Sequence, residues 1–380
     1  TTFRLPSEAV TLAERLGDAG YSTGAVVSSF VLHSDFGLDQ GFDACRQAPR
    51  PIDAELIRPF LDAASDRPFF LYLHNTEPHT PLDARPAFRR HFDPVEPLFE
   101  REYVELTKRY RELTRVDFAA GRVPGTTDNT ADQTRILARL GELRSQVHNV
   151  YSMAVRDADD RIGAVVAALK ERGTWDRTLF IVLADHGEEM GDHGGWQHDQ
   201  SVYQELIRVP LVVKLPGGAH AGERVARPVS LVDVFPTVLE VADVPGVRVS
   251  GRSLLPLLGG PGGAPATRVV AMRRNEKKYY RPYAESRGDV NVAVRRGKWK
   301  AILNVEPGTL ELYDLEADPG EERDVSAEHA GLAAELRAFA ERRYAELCAA
   351  STEAVEQGAE LDAATEAELR RLGYVGDAPR

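Results

Sequence analysis

Leu183-Ala184-Asp185-His186-Gly187-Glu188-Glu189 carries an apolar run straight into a carboxylate and an imidazole, then into a glycine. An acid and a histidine side by side at a strand end can give two ligands to one divalent cation, with Gly187 letting the backbone turn away. The plainer alternative is that Asp185 caps the following segment and His186 is a polar loop residue. The residues that follow add to the chemistry. Asp192, His193, Gly194, Gly195, Trp196, Gln197 and His198 form a stretch rich in imidazole and glycine, too polar for a core, that can turn imidazoles toward a bound anion. His193 reads as a surface histidine or one lying just behind such a site, the alternative being that it too turns toward the anion.

These residues need a scaffold, and the surrounding pattern predicts one. Ala154, Ala158, Ile162, Val165, Val166 and Leu169 make one apolar helix face, closed by Arg172-Gly173, and Thr178–Ala184 follows as a strand of buried type. A helix, a short loop and a fully apolar strand form an αβ unit of a parallel or mixed sheet covered on both faces, and ligands bind beyond the carboxyl ends of such strands. Upstream, Ser7 is the expected N-cap of a helix through Ala9, Leu12, Ala13 and Leu16, ended by Gly17 and Gly20, and Tyr21–Phe30 reads as a strand. Phe69–His74 is an aromatic run of strand length whose polar end, His74 to His79, falls at the strand's edge. Between about Phe92 and Asn149 the chain is dense in charge, with a helix over Arg101–Arg115, a turn-rich Val123–Asn129 and longer polar helices, the pattern of an insertion or cap.

Further on, Pro210–Leu215 is an apolar segment and Leu231–Ala242 a helix with Pro236 near its first turn. Gly259–Ala266 is the best linker candidate, so a boundary is expected near residue 265, with a core domain at 1–265 and a smaller lobe at 266–380. Asn291–Val294, Lys298–Ile302 and Leu310–Tyr313 predict short antiparallel strands, followed by an amphipathic helix through Leu332, Leu336, Phe339, Ala340 and Leu347.

Composition narrows the function. The 380 residues are 43% apolar and 28% charged, enough for one large core and a second lobe, and the formal net charge is −12. That acidic balance argues against nucleic acid as a partner, because phosphate neutralisation needs surplus Lys and Arg on one face. An anionic substrate must therefore be held locally. Cys45 and Cys348 are the two cysteines, too few for a disulfide framework or a Cys-rich zinc site. No apolar run approaches the roughly 18 residues of a membrane helix. Thr1–Pro6 has none of the zones of a signal peptide, so compartment is not legible there, and the start reads as a cut.

Several ordered blocks resemble the sulfatase family of the alkaline-phosphatase-like superfamily. Asp185–Glu189 with Gly191–Gly194, His198, Tyr203-Gln204-Glu205 and Arg208-Val209-Pro210-Leu211 is similar to the sulfatase signature. Thr11–Glu14 with Ala19–Tyr21, Phe36–Asp43, Pro78–Pro81, Ser230–Thr237, Gly251–Leu254 and Leu312–Pro319 resemble further blocks in the same order. The resemblance implies an α/β alkaline-phosphatase-like sandwich: a central mixed sheet flanked by helices, with a C-terminal α+β subdomain carrying a short antiparallel sheet. It implies a metal-dependent hydrolase of sulfuric or phosphoric esters. Asp185 and His186 would be metal ligands for one divalent ion, Ca2+ or Mn2+ ahead of Mg2+ or Zn2+. His79 and His198 would contact the sulfate or phosphate group and the leaving oxygen. His79 has an alternative role, packing beneath Pro78 and Pro81, and His74 would sit one step behind the site.

The departures matter as much. Members of the family place two more acidic ligands on an amino-terminal strand and then a Cys, Ser or Thr nucleophile, all ahead of the block matching Thr11–Tyr21. Cys45 is followed by Arg46-Gln47-Ala48-Pro49-Arg50, which is not the Cys-x-Pro-x-Arg context of formylglycine sulfatases, so formylglycine is not available from this chain. Cys348 reads as a small core hydrophobe. The expectation is a chain without turnover of its own, short of its first strand and left with an open edge or groove. Val26–Leu32 lacks the lysine many sulfatases show there, which points toward phosphodiester or phosphonate monoester hydrolysis. A catalytically dead binding or scaffold relative is the reading from a different class.

Overall fold

The structure, a computed structural model, describes residues 4–29, 32, 34–48, 54–64, 66–79, 99–114, 129–198, 201–260, 268–274 and 290–354. The turn expected at 123–128, the Gly/Pro stretch at 261–266, Phe30 and Pro81 lie outside them. The chain divides into two compact units, one centred on Thr1–Thr76 and the other on Glu77–Asp117 and Arg122–Glu346.

In the first unit, helix α1 (Leu12–Asp18) feeds strand β1 (Ser22–Val27), the centre of a parallel sheet. Its neighbours are β2 (Ala44–Gln47) and β3 (Phe69–His74), in the order β2-β1-β3. Helix α2 (Ala54–Ala63) precedes β3, and Phe60 comes so near Gly24 that a Cβ there would sit 2.4 Å from the ring. The cap of α1 is Thr11, not Ser7. Thr11 Oγ1 accepts the Glu14 amide at 3.1 Å while Glu14 Oε2 accepts the Thr11 amide at 2.8 Å. This reciprocal capping box was readable as Thr-x-x-Glu and outweighs the apolar spacing that suggested an earlier start. Gln40 joins it, donating to Glu14 Oε1 at 3.1 Å. Strand β2 and helix α2 were not anticipated, because β2 is exposed along its length and Pro59 interrupts the helical pattern of α2.

The second unit holds α3 (Phe99–Thr114) and α4 (Asn129–Glu171). What the sequence split into polar helices and a separate helix from 154 onward is one helix of 43 residues, about 65 Å long at 1.5 Å per residue. No proline breaks it, and a buried stripe at Ile136, Leu140, Leu143, Val147 and Val150 offsets the weak propensity of Gly141. The expected stop holds: Gly173 takes φ +68 and the Thr174 amide reaches back to the Leu169 carbonyl at 3.0 Å.

Strand β4 (Phe180–Leu183) then pairs antiparallel with β7 (Leu211–Lys214), running Phe180 opposite Lys214 to Leu183 opposite Leu211. The apolar run suggested a strand covered on both faces. Instead Leu183 is 40% and Val212 62% exposed, since among the described residues each of these strands has the other as its one partner. Between them stands a short hairpin, β5 (Glu189–Met190) and β6 (Trp196–Gln197), turned by Gly191 and Gly194 at φ +89 and +78. Helix α5 (Gln204–Ile207) leads into β7, and Leu231–Ala242 resolves into a 3-10 turn and helix α6 (Val234–Val241). A four-stranded antiparallel sheet, order β11-β10-β9-β8, is built from β8 (Arg268–Arg274), β9 (Val290–Arg296), β10 (Trp299–Asn304) and β11 (Thr309–Asp314). Helix α7 (Ala330–Ala354) covers it through Ala333, Leu336 and Ala340. Cys348 on α7 is half-buried. The whole is α/β, with parallel and antiparallel pairings and a C-terminal antiparallel sheet, as expected. No described helix is long and apolar enough to cross a membrane.

Thr11→Ala should lower unfolding stability by about 1 kcal/mol in urea denaturation. The hydrogen bond from the Thr11 amide holds the Glu14 carboxyl below its ordinary value, so its contribution is present above about pH 4.5 and is lost as the pH falls. The wild-type advantage over Glu14→Gln should therefore shrink in acid.

Candidate active site

Three chain segments converge. Asp185 and His186 leave the carboxyl end of β4, His198 follows β6 directly, and His79 follows the cis Glu77–Pro78 bond. The ring centroids of His186 and His198 are 4.6 Å apart, those of His79 and His198 4.8 Å, and those of His79 and His186 5.9 Å. One nitrogen from each of the three lies within 4.8 Å of the others. His79 thus meets His186, 107 positions further along the chain, and His198, 119 positions further along, at one point.

The hydrogen bonds fix the protons. His186 Nδ1 is 2.8 Å from the Gly187 carbonyl, which can only accept, so Nδ1 carries a hydrogen and in the neutral ring the lone pair is on Nε2. Asp185 Oδ1 accepts the His186 amide at 3.0 Å, and Oδ2 stands 3.9 Å from His186 Nε2 on a side chain 72% exposed. Asp185 is thus a local cap and still presents a free-facing oxygen beside the imidazole lone pair. Such a mixed carboxylate and imidazole donor set suits a divalent cation. His79 Nε2 and His198 Nε2 are 2.8 Å apart, so one of them donates and the other accepts, and the pair holds a proton between them.

Backbone contacts hold these groups in place. A Cβ on Gly187 would lie 1.9 Å from the Glu205 carbonyl oxygen, while the Gly187 amide donates to Leu206 O at 2.8 Å and the Glu188 amide to Glu205 O at 3.1 Å. Gly187 is therefore required by close approach to the 205–206 backbone, not by a left-handed turn. Gln197, buried and not a glycine, takes φ +73 just before His198, a conformation that costs roughly 1–2 kcal/mol for a side-chain-bearing residue. No composition signal marks it. The hairpin leading to His198 packs Met190 and Trp196 into one cluster with Tyr103 of α3 and Leu140, Leu143 and Val147 of α4, so these two helices support the hairpin.

His193 is not part of the cluster. Its ring stacks on Tyr203 at 3.7 Å and 5°, Nδ1 lies 2.5 Å from Glu205 Oε1, and Nε2 lies 3.2 Å from the Glu321 carbonyl. Both partners are acceptors, so both nitrogens donate and the ring is an imidazolium. Burial pulls the His193 pKa down, but the Glu205 hydrogen bond and charge outweigh it and leave the value raised. His74 ends β3 opposite Val27, with its ring 6.5 Å from that of Tyr72. Desolvation and the Asp39 carboxylate push the Cys45 thiol up, away from the thiolate a nucleophile needs. Sequence reasoning missed Lys300 and Glu321, which are fully buried and paired at 2.6 Å. The available signal was a lone lysine inside the apolar run Trp299-Lys300-Ala301-Ile302-Leu303.

A strand-end carboxylate and imidazole thus stand beside two further imidazoles on an α/β framework. Residues 3–244 match the model of the sulfatase family, and residues 191–344 match that of the C-terminal region of N-sulphoglucosamine sulphohydrolase. The chain belongs to the sulfatase family. It is 28% identical over 295 residues to the choline-sulfatase of Rhizobium meliloti (strain 1021), a match covering 75% of this chain and 52% of that protein. It is 31% identical over 197 residues to arylsulfatase K of Danio rerio, covering 49% of this chain and 35% of that one. The chain thus spans about half or less of the length of these relatives. In fold it is similar to the phosphonate monoester hydrolase SpPMH of Silicibacter pomeroyi, with a TM-score of 0.63, 20% identity, and coverage of 90% of this chain and 81% of that one.

Because the folded pKa of His193 is raised, its stabilising contribution is complete below the ordinary histidine value of about 6.5 and is lost as the pH climbs through the raised value. His193→Gln should therefore lower the melting temperature most below about pH 6, and the gap from wild type should close in mildly alkaline buffer, as read by thermal melts across pH.

Proposed function

We infer that this chain carries the strand-end half of the site of a metal-dependent sulfuric ester hydrolase. Asp185 and His186 act as ligands of one divalent cation, and His79 and His198 face the ester's anionic group. The observation that carries this reading is the convergence of three imidazoles within 4.8 Å beside the Asp185 carboxylate, with His186 Nε2 left as a lone-pair donor by the Gly187 carbonyl. A cation held there would polarise an ester oxygen and lower the pKa of a coordinated nucleophile. Mn2+ or Ca2+ is the expected ion, with Mg2+ and Zn2+ less suited.

The chain's own residues supply the rest. The proton shared by His79 and His198 lies where a leaving oxygen needs a general acid, and the partner imidazole donates a hydrogen bond to charge spreading over the sulfuryl oxygens. The 9% exposure of His198 keeps competing water from that proton. No Cys-x-Pro-x-Arg occurs in the 380 residues, and two acidic ligands of the family pattern have no counterpart in them, so this chain by itself has no first covalent step. The absence of lysine from Val26–Leu32 favours phosphodiester or phosphonate monoester hydrolysis as the second reading. The boundary near residue 265 stands as part of the proposal, with β8–β11 and α7 on its C-terminal side.

Calorimetric titration of the purified chain with Mn2+ should show one site, weakened about tenfold or more by Asp185→Asn and by His186→Ala. Equal binding by wild type and both variants would remove the ligand assignment and leave the scaffold reading. Incubated with an aryl sulfate and with an aryl phosphonate monoester, the 380-residue chain should release no more phenol than buffer. Turnover of either ester would overturn the prediction of inactivity.

A further inference from the structure

Behind the imidazole cluster lies a second set of charges that the ester chemistry does not use. Lys300, on β10, is fully buried and its Nζ is 2.6 Å from Glu321 Oε1. Glu321 is 2% exposed and takes φ +56, a left-handed backbone unusual for a side-chain-bearing residue. Its other carboxylate oxygen accepts the Gln204 amide at 2.6 Å, the first residue of α5. Glu205, the next residue, receives the His193 imidazolium, whose far nitrogen returns to the Glu321 carbonyl. Glu321, His193, Glu205 and the Gln204 amide thus close a ring around the backbone of 204–205, with Lys300 paired to its Glu321 corner, and burial pushes the Lys300 pKa down and that of Glu321 up.

That backbone is the one that receives Gly187 and Glu188. The Leu206 and Glu205 carbonyls accept their amides, and the Gly187 contact leaves no room for a Cβ. The Gly187 carbonyl in turn accepts from His186 Nδ1 and so decides which nitrogen of His186 bears the lone pair. We propose that Lys300 and Glu321, with Glu205 and His193, are positioning residues that set the orientation and tautomer of His186 from the C-terminal sheet. The proposal rests on the assignment of His186 as a ligand for its consequence, but not for its geometry.

Several features argue against a merely stabilising role. A buried ion pair is seldom more stabilising than apolar residues of the same shape, so stability alone does not account for Lys300 and Glu321 at full burial. The strained backbone of Glu321 places its carboxylate between the Lys300 ammonium and the Gln204 amide, and strain of this kind persists where the surroundings over-determine it. The chain from Lys300 to His186 is contiguous, and each link is a hydrogen bond, an ion pair or a peptide bond.

The test uses the full 380-residue chain, labelled with 15N-histidine and also analysed by hydrogen exchange. In Glu321→Gln, exchange at 186–190 and at 203–207 should rise by about tenfold or more, while α1 and β1 keep their protection. The 15N shifts of His186 should move from the Nδ1–H form toward a mixture of tautomers, and Glu321→Asp should recover part of both effects. Glu205→Gln, the milder variant, should produce the same tautomer shift with the fold intact should Glu321→Gln unfold. Loosening at 203–207 with the His186 tautomer and the 186–190 protection unchanged in both variants would overturn the proposal. Neither readout needs bound metal, so failure of Mn2+ to bind wild type would strike the ligand assignment and leave this result standing.

Discussion

The approach of the Gly187 backbone to the carbonyls of Glu205 and Leu206 underlies the arrangement of the site. It is a contact of main chain with main chain, where a single added methyl would lie 1.9 Å from an oxygen. Through it the exit of β4 is locked to the entrance of β7, and the imidazole of His186 is presented with one nitrogen already committed. Buried backbone polar groups must be satisfied, and here satisfying those of 187 and 188 also fixes where Asp185 and His186 stand.

The same logic orders the histidines by what their partners can do. His186 meets a carbonyl at Nδ1 and is thereby a lone-pair donor at Nε2. His79 and His198 meet each other and must share a hydrogen. His193 meets acceptors on both sides and is held as a cation, which suits it to clamp Glu205 and excludes it from ligation. Four residues of one chemical type thus divide into three kinds of work, decided by the oxygen or nitrogen opposite each ring.

Much of this was legible in the residue order. The Asp185-His186-Gly187 block at a strand end, the later His198 and the upstream His79 stand out in the sequence, and the structure brings the three imidazoles together. The strands β9 to β11 and the close of α4 at Gly173 follow from alternation and from stop residues. What was not legible is equally physical. Apolar periodicity at 7–16 competed with the Thr11–Glu14 capping box, and the box prevailed because it satisfies two orphan donors at once. The continuity of α4 was hidden by its charged surface, since its buried stripe is narrow beside its polar faces. Lys300, on β10, and Glu321, in the loop that follows β11, lie 21 residues apart and meet through the return of the chain after that strand, which no local pattern encodes.

The long helix α4 has a consequence for how this region can vary. Its middle shares one apolar cluster with Trp196 and Met190, and Arg144 grips Asp192 at 2.5 Å, so the hairpin ending at His198 is seated on a stiff rod. A rod transmits a displacement along its length instead of absorbing it. Changes in the charged stretch that pairs with it, remote in sequence from any histidine of the cluster, can therefore retune the spacing between imidazoles while leaving every one of those residues untouched.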